Sequence, residues 1–351
     1  MAKRRLNKQQ QWRIRKIQQE RTERAHRKER AIDEQLESGE LGAEQAGLVI
    51  AHYGQQLDIE ALEGDRKGTV CRCFVRANID SLVTGDRVVW RPGAGEVGVV
   101  VARSERRTLL QRPDKFGQIK PVAANIDHII LVIAPEPEPH DNLIDRYLVA
   151  AENTGIPAVI LLNKDDLVTD RNRDAIDSLL ARYETLGYPV VRTSARTKDG
   201  EPAHQVTELV RDQTSVFVGQ SGVGKSSIIQ TLLPEESIRV GAISESTGKG
   251  THTTTTARLF HLECGGDLID SPGIREFGLW HMSGDEIEFG FREIRNLIGH
   301  CRFRNCRHQN DPGCAINEAA KNGEISPERM HSFHRILQDM AEQQARGLIA
   351  D

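Results

Sequence analysis

The sequence predicts an α/β domain, a sheet with helices on both faces, set between a small β-barrel and an α-rich, metal-tied C-terminal element. Three observations carry this. Between about 114 and 279, apolar strands alternate with helical periodicity, the pattern of a parallel sheet with crossover helices. From about 47 to 110 that gives way to short alternating runs. After residue 300, three cysteines and one histidine crowd into the stretch 301–314.

A chain of 351 residues has room for two or three domains. No apolar stretch reaches the roughly 18 residues that a membrane span needs, and no signal-peptide core follows the N-terminus. Six cysteines in so long a chain do not make a disulfide framework, so the cytoplasm is the expected compartment and no membrane is expected as a partner. The net charge of −4 conceals an asymmetry. Residues 1–30 hold twelve Lys/Arg against three Glu, about +9, leaving about −13 for the rest. Residues 1–40 are therefore expected to be a solvated basic arm. Trp12, Ile14 and Ile17 are too sparse for a core face, whereas the charge suits phosphates and points to RNA. A membrane surface fits less well, because the apolar face is weak.

Residues 41–112 are expected to form the barrel. Gly47–Tyr53, Gly68–Arg76, Asp86–Trp90 and Gly98–Val101 read as strands punctuated by Gly, Asp and Pro, and an OB-fold is the leading candidate. Cys71 and Cys73, two apart on one strand face, read as core packing rather than as metal ligands.

Residues 113–280 are expected to be the nucleotide-binding domain. Asp141 or Asn142 is placed to cap its first helix. The run Ser215–Val218 leads into Gly219-Gln220-Ser221-Gly222-Val223-Gly224-Lys225-Ser226, with Ser227 continuing into a helix. This is strand, glycine-rich loop, helix, with the spacing of a phosphate-binding loop. Glycines let successive N–H groups curl around phosphate, Lys225 reaches the β- and γ-phosphates, and the Ser226 hydroxyl can ligate Mg²⁺. Asn163-Lys164-Asp165-Asp166, at the end of Pro157–Leu162, selects the base. An Asp166 carboxylate accepts from the N1 and N2 hydrogens of guanine, a donor pair that adenine lacks. Thr193-Ser194-Ala195 reads as the companion loop, with a backbone amide for the guanine O6. Asp270-Ser271-Pro272-Gly273 has the D-x-x-G form that senses Mg²⁺ through Asp270 and the γ-phosphate through the Gly273 amide. Between the phosphate motifs lies the threonine-rich Gly248–Thr256, suited to ordering around Mg²⁺ and relaxing on hydrolysis. Ordinary small GTPases place N-K-x-D and S-A last; here they come first. The expected fold is therefore a circularly permuted P-loop GTPase domain, whose D-x-x-G leads directly into the C-terminal region.

Residues 281–351 are expected to be a zinc-binding helical domain. Cys301, Cys306, His308 and Cys314 match a closed structural Cys₃His site; His300 is the alternative fourth ligand, and His308, between two sulfurs, is preferred. Arg302, Arg304 and Arg307 lie around it, as an RNA contact or a plain solvated surface. Ser326-Pro327 opens a final helix with an apolar stripe of Met330, Phe333, Ile336, Leu337 and Met340, expected to pack on the zinc element.

With these motifs in place, the chain resembles the RsgA/YjeQ family of circularly permuted, small-subunit-dependent GTPases over nearly its whole length. The specific signs are motif order, the His252-Thr253-Thr254-Thr255 switch, the run Asp270–Gly278 and the cysteine cluster. The resemblance implies GTP hydrolysis to GDP, stimulated by the small ribosomal subunit, in late maturation of that subunit, with barrel, GTPase and zinc domains docking on rRNA. It also assigns His252 to orienting the attacking water, since Ile274 stands where many GTPases carry glutamine. Thr251 replaces the Arg or Gln of relatives; Thr254 is the expected Mg²⁺ ligand, with Thr253 second. A monomer is expected. The rival from another class is an RNA-binding checkpoint protein in which GTP mainly locks a shape. A permuted ATP-dependent kinase is disfavoured by Asp166.

Overall fold

The computed structural model describes residues 41–54, 56–76, 79–93, 97–113, 118–194, 204–233, 257–270, 274, 282–309 and 311–345. Two compact units emerge: one runs to Leu82 and resumes over Asp86–Glu105, the other takes Val83–Gly85 and everything from Arg106.

The first unit is a closed five-stranded barrel. β1 (Gln45–His52) pairs antiparallel with β2 (Gln56–Ala61) and with β4 (Arg87–Pro92). β2 pairs antiparallel with β3 (Val70–Val75), which lies parallel to β5 (Val97–Arg103), and β5 returns antiparallel to β4. The closed order β1-β2-β3-β5-β4 removes every free sheet edge. Register shifts at Val49/Ala51 and Val89/Trp90 bend the two strands that close it. Trp90 fills the interior, and it fits only because Gly47 and Gly98 stand against it: a Cβ on either would come within 2.7 Å of the indole. Cys71 and Cys73 are both buried in this core, and burial pushes the Cys73 thiol well above its ordinary pKa, as befits an inert packing residue. β2 is the strand absent from the sequence reading. Its Leu57-Asp58-Ile59 are buried in succession although the residues alternate, and Asp58 is accommodated by Arg72 Nε at 2.5 Å.

The second unit holds a hairpin, β6 (Leu109–Pro113) with β7 (Ile119–Ala124), and the main sheet. Its strands are β8 (His128–Ile133), β9 (Ala158–Leu162), β10 (Val190–Arg192), β11 (Thr214–Val218), β12 (Arg258–His261) and β13 (Asp267–Asp270). They lie in the order β10-β9-β8-β11-β13-β12, all parallel except β12. β8 and β9 are buried throughout, as strands covered on both faces must be. On one face Ile130, Val132 and Phe217 meet Val206 and Val210 of α3 (His204–Val210) and Ile228, Ile229 and Leu232 of α4 (Lys225–Leu232). On the other, Leu131 and Ile133 face Leu143, Ile144 and Tyr147 of α1 (Asp141–Thr154). α2 (Arg173–Thr185) buries Ile176, Leu179, Leu180 and Tyr183, a single helical stripe.

The start of α1 differs from the sequence expectation. His140 occupies the N-cap position without a side-chain cap bond; Asp141 instead pairs with Arg182, and Asn142 accepts from Arg146 Nε at 3.0 Å. The C-terminal helices are α5 (Gly284–Gly290), α6 (Arg292–Arg295), α7 (Ala315–Lys321) and α8 (Pro327–Ala345). α5 opens with a reciprocal Ser283–Glu286 capping box, and Ser326 Oγ accepts from the Arg329 N–H at the start of α8. Phe333, Ile336 and Met340 of α8 are buried. α8 packs on α1 and α5, and Phe333 also meets the His308 ring of the cysteine-rich segment, centroids 6.3 Å apart. Gly290 makes this possible: a Cβ there would come 2.4 Å from Val149 of α1.

Candidate nucleotide and metal sites

Three segments distant in sequence meet at the C-terminal ends of β9, β10 and β11, where ligands bind open α/β sheets. The loop Gly219–Gly224 connects β11 to α4. Gly219 has φ +134, and a Cβ on it would lie 2.3 Å from Val132 O; Gly224 has φ +98, with a Cβ 2.3 Å from Asn163 Nδ2. Both places demand glycine on conformation and on space. Buried Lys225 begins α4, and its ammonium folds back to donate to Gly219 O and Gln220 O, each at 2.7 Å. Ser221 is exposed at the loop's apex, Val223 is buried beneath it, and Ser226 and Ser227 lie half-buried in the first helical turn.

The Asn163–Asp166 loop is stitched to this one. Asn163 Nδ2 donates to Val223 O at 2.9 Å, and Lys164 Nζ donates to Gly222 O at 2.7 Å and Glu136 O at 2.8 Å. Lys164 takes left-handed backbone (φ +57), which turns the chain into the short 3₁₀ segment Asp165–Leu167. Ser194, just beyond β10, donates its hydroxyl to Asp166 Oδ1 at 2.6 Å and accepts from the Asp166 N–H at 3.2 Å. Asp165 N–H donates to Thr193 O at 3.0 Å. Asp166 itself is exposed. Asp270 ends β13, the parallel neighbour of β11, so it stands beside the phosphate loop's strand. Ile274 is buried and brings no polar group. Ala195, His252, Thr253, Thr254 and Gly273 lie outside the described residues.

A second site forms at the C-terminal element. The ligand atoms of Cys301, Cys306, His308 and Cys314 all lie within 4.8 Å of one another. Cys301 Sγ is 3.9 Å from Cys314 Sγ and 3.6 Å from His308 Nδ1, which is 3.4 Å from Cys314 Sγ. Those are edges of a tetrahedron whose metal bonds run about 2.0–2.3 Å. The convergent imidazole is that of His308, not His300. Backbone N–H groups of Ala315 and Asn317 point at Cys301 Sγ and Cys314 Sγ, at 3.4 and 3.5 Å, which suits thiolates. The other ring nitrogen of His308 lies 3.0 Å from Glu288 Oε1, so Nδ1 is the atom turned to the metal position. Four ligands leave no open position, so the group could hold a structural metal.

Sequence reasoning missed Glu288 and also Arg329. Arg329 is 2% exposed, pairs with Asp145 of α1, and reaches Glu293 at 2.6 and 3.0 Å. Burial opposes its charge, but Asp145 and Glu293 more than offset this and hold its pKa above the ordinary value. Its i+4 neighbour Phe333 belongs to the apolar stripe, yet nothing local marks Arg329 itself as interior. Among the described residues, no helix is long and apolar enough to cross a membrane.

Residues 103–280 match the family model for the RsgA GTPase. The chain is 76% identical over 348 residues, 99% of each chain, to the small ribosomal subunit biogenesis GTPase RsgA of Marinobacter nauticus. The chain belongs to the RsgA GTPase family. The protein of the same description from Hahella chejuensis is 60% identical over 98% of each chain. Among solved structures, YjeQ from Thermotoga maritima superposes with a TM-score of 0.67 at 28% identity, covering 85% of this chain and 99% of its own. YloQ, described as a circularly permuted GTPase, gives 0.65 at 27%, covering 86% and 96%. The family's permuted order has a simple physical form here: the loop encoded at 163–166 reaches the phosphate loop at 219–226 and is backed by 193–194, because β9, β10 and β11 end on the same side of one parallel sheet.

Proposed function

We propose that this chain binds GTP between the phosphate loop and Asn163–Asp166, hydrolyses it to GDP and phosphate, and does so in maturation of the small ribosomal subunit. The observation that carries the reading is the pair of bonds from Asn163 and Lys164 to Val223 O and Gly222 O, in a chain whose relatives are named small-subunit GTPases. They fix the distance between a base reader and a phosphate cradle.

In this reading the N–H groups of Gly219–Ser227 hold the phosphates and Lys225 swings from Gly219 O and Gln220 O onto the β- and γ-phosphates. Asp166, with one oxygen steadied by Ser194, accepts from guanine, while the Ala195 amide meets O6. Ser226, Thr254 (or Thr253) and Asp270 supply the hard oxygen donors that suit Mg²⁺, which would neutralise phosphate charge. Gly273 senses the γ-phosphate. His252 orients the attacking water, because buried Ile274 cannot. The Cys301, Cys306, His308 and Cys314 set takes zinc in a structural role, three sulfurs and one nitrogen being its preferred donors. The basic arm at 1–40 and the arginines near the metal contact rRNA. The protein works as a cytoplasmic monomer, with domain limits near 40, 112 and 280.

One observation favours a second reading, an RNA-binding checkpoint in which GTP locks a shape and turnover is incidental: the apolar, buried Ile274 removes the usual water-orienting position. GTP hydrolysis measured with and without purified small subunits separates the two. Stimulation of tenfold or more, lost in His252→Ala with GTP binding retained, is the result expected of the enzyme. Equal rates with and without subunits would leave only the lock.

A further inference from the structure

We propose that Arg192 is a positioning residue for base selection, acting on the guanine-reading loop through Asp165. This rests on the assignment of Asp166 to the guanine edge. Arg192 is the last residue of β10, and its guanidinium forks. Nε and Nη2 each lie 2.9 Å from Asp165 Oδ1, while Nη1 lies 2.6 Å from Asp177 Oδ1 on α2.

Three consecutive residues thereby grip two others. The Arg192 side chain holds the Asp165 carboxylate, Thr193 O takes the Asp165 N–H at 3.0 Å, and the Ser194 hydroxyl holds both the N–H and the carboxylate of Asp166. Asn163 and Lys164 are committed to the phosphate loop, so the turn at Asp165–Leu167 is set from its start by them and from its side by Arg192. A carboxylate that accepts two parallel N–H bonds from a base must lie close to the base plane. Hydrogen bonds weaken steeply as the donor angle closes, so a turn that rocks loses the 2-amino contact first.

The choice of arginine follows from shape. A planar fork can span two carboxylates on different elements at a fixed angle, which a lysine point charge cannot. It also neutralises Asp165, which would otherwise place an unpaired charge next to Asp166 and compete for Ser194. The side chains of Arg192, Asp165 and Asp177 are 35%, 36% and 46% exposed. Ion pairs that open to water add little to folding stability, so the fork's effect falls on loop geometry rather than on whether the domain folds.

The test uses the full chain and compares GDP with IDP, which lacks the 2-amino group, by calorimetric titration alongside thermal melting. Arg192→Gln is expected to cut the GDP-over-IDP preference at least fivefold, to leave IDP affinity within about twofold, and to melt near the wild type. Arg192→Lys should recover part of the preference. Asp165→Ala, which removes the acceptor while leaving Arg192 on Asp177, should reproduce the loss and serves if Arg192→Gln melts early. Asp166→Asn calibrates the base reading by abolishing the preference. An unchanged preference in Arg192→Gln or Asp165→Ala, beside its loss in Asp166→Asn, overturns the role of Arg192. A wild-type preference in Asp166→Asn removes the base assignment itself.

Discussion

At the scale of single residues, the proposed nucleotide site depends on positions where one atom more would not fit. Gly224 is the sharpest case, since a methyl there occupies the place of Asn163 Nδ2. Gly224→Ala should therefore break the Asn163–Val223 bond and part the two loops. Leaving the buried Asn163 and Val223 groups unpaired costs about 1–3 kcal/mol of folding stability, a fall in melting temperature of roughly 2–12 °C for a unit of this size, and parting the loops should lower GTP affinity at least fivefold. An affinity within twofold of wild type would show that the loops can be uncoupled. Asp166→Asn addresses the opposite end of the ligand. An amide offers both a donor and an acceptor, so the variant should lose roughly tenfold or more in GTP affinity and gain affinity for xanthosine nucleotides, whose 2-oxo group accepts a hydrogen bond. Competition titration of GTP, XTP and ATP reads this directly.

At the scale of elements, two interactions join pieces of chain that were not legible as partners. His128 of β8 shares a 2.9 Å hydrogen bond with Ser215 of β11, and burial lowers its pKa below the ordinary value. The folded chain thus resists a proton that the unfolded chain accepts near pH 6.5. The sheet's stability should be fully present above that pH and decline below it, by at most about 1.4 kcal/mol per pH unit from this group, until the folded histidine also protonates. Chemical denaturation at pH 7.5 and pH 5.5 should show that decline shrinking in His128→Gln. Glu288 of α5 plays the equivalent part at the metal site by fixing the His308 ring. Glu288→Gln should weaken metal about 10- to 100-fold in a chelator competition, while circular dichroism of the loaded protein stays as it was. The motifs themselves were legible because their chemistry is local: phosphate loop, Asn163–Asp166 and the cysteine set each lie within a few residues and carry their spacing with them. The barrel strands showed through alternation, except β2, which alternates too but carries Asp58, Glu60 and Ala61, residue types depleted in strands. What spacing cannot encode is a partner far along the chain. Glu288, Arg192 and Arg329 look like solvated charges until the fold brings their partners in; for Arg329 the partner on α1 is 184 residues away.

At the scale of the second unit, Arg329 decides how the C-terminal helices are joined to the nucleotide-binding sheet. It lies between Asp145 of α1 and Glu293 of α6, under the ring of Phe291 at 4.4 Å, with Tyr183 of α2 donating to Asp145 at 2.7 Å. Four helices thus share one buried charge cluster. Desolvation makes such a cluster no great source of stability when compared with an apolar core, but losing one member leaves the others charged and unpaired. Arg329→Met should destabilise by about 3–5 kcal/mol. That corresponds to a fall in melting temperature of roughly 6–20 °C for a unit of this size. The companion variant Arg329→Met, Asp145→Leu, Glu293→Leu removes all three charges and should regain most of that loss. Equal melting of single variant and wild type would mean the cluster is hydrated rather than dry. The arrangement also has a directional consequence. Lys164 holds Glu136 in the loop before α1, α1 holds Arg329, and the chain leaving Asp270 returns through α5 to pack Gly290 against Val149 of α1. Both ends of the nucleotide site are thereby anchored to one helix. With GTP bound, amide exchange across α1 and α8 should slow together in the wild type. In Arg329→Met the slowing should weaken across α8, because the buried ionic tie to α1 has been cut and only the partly exposed Arg146–Asp339 pair and the Asn142–Ser332 bond remain among the described polar ties.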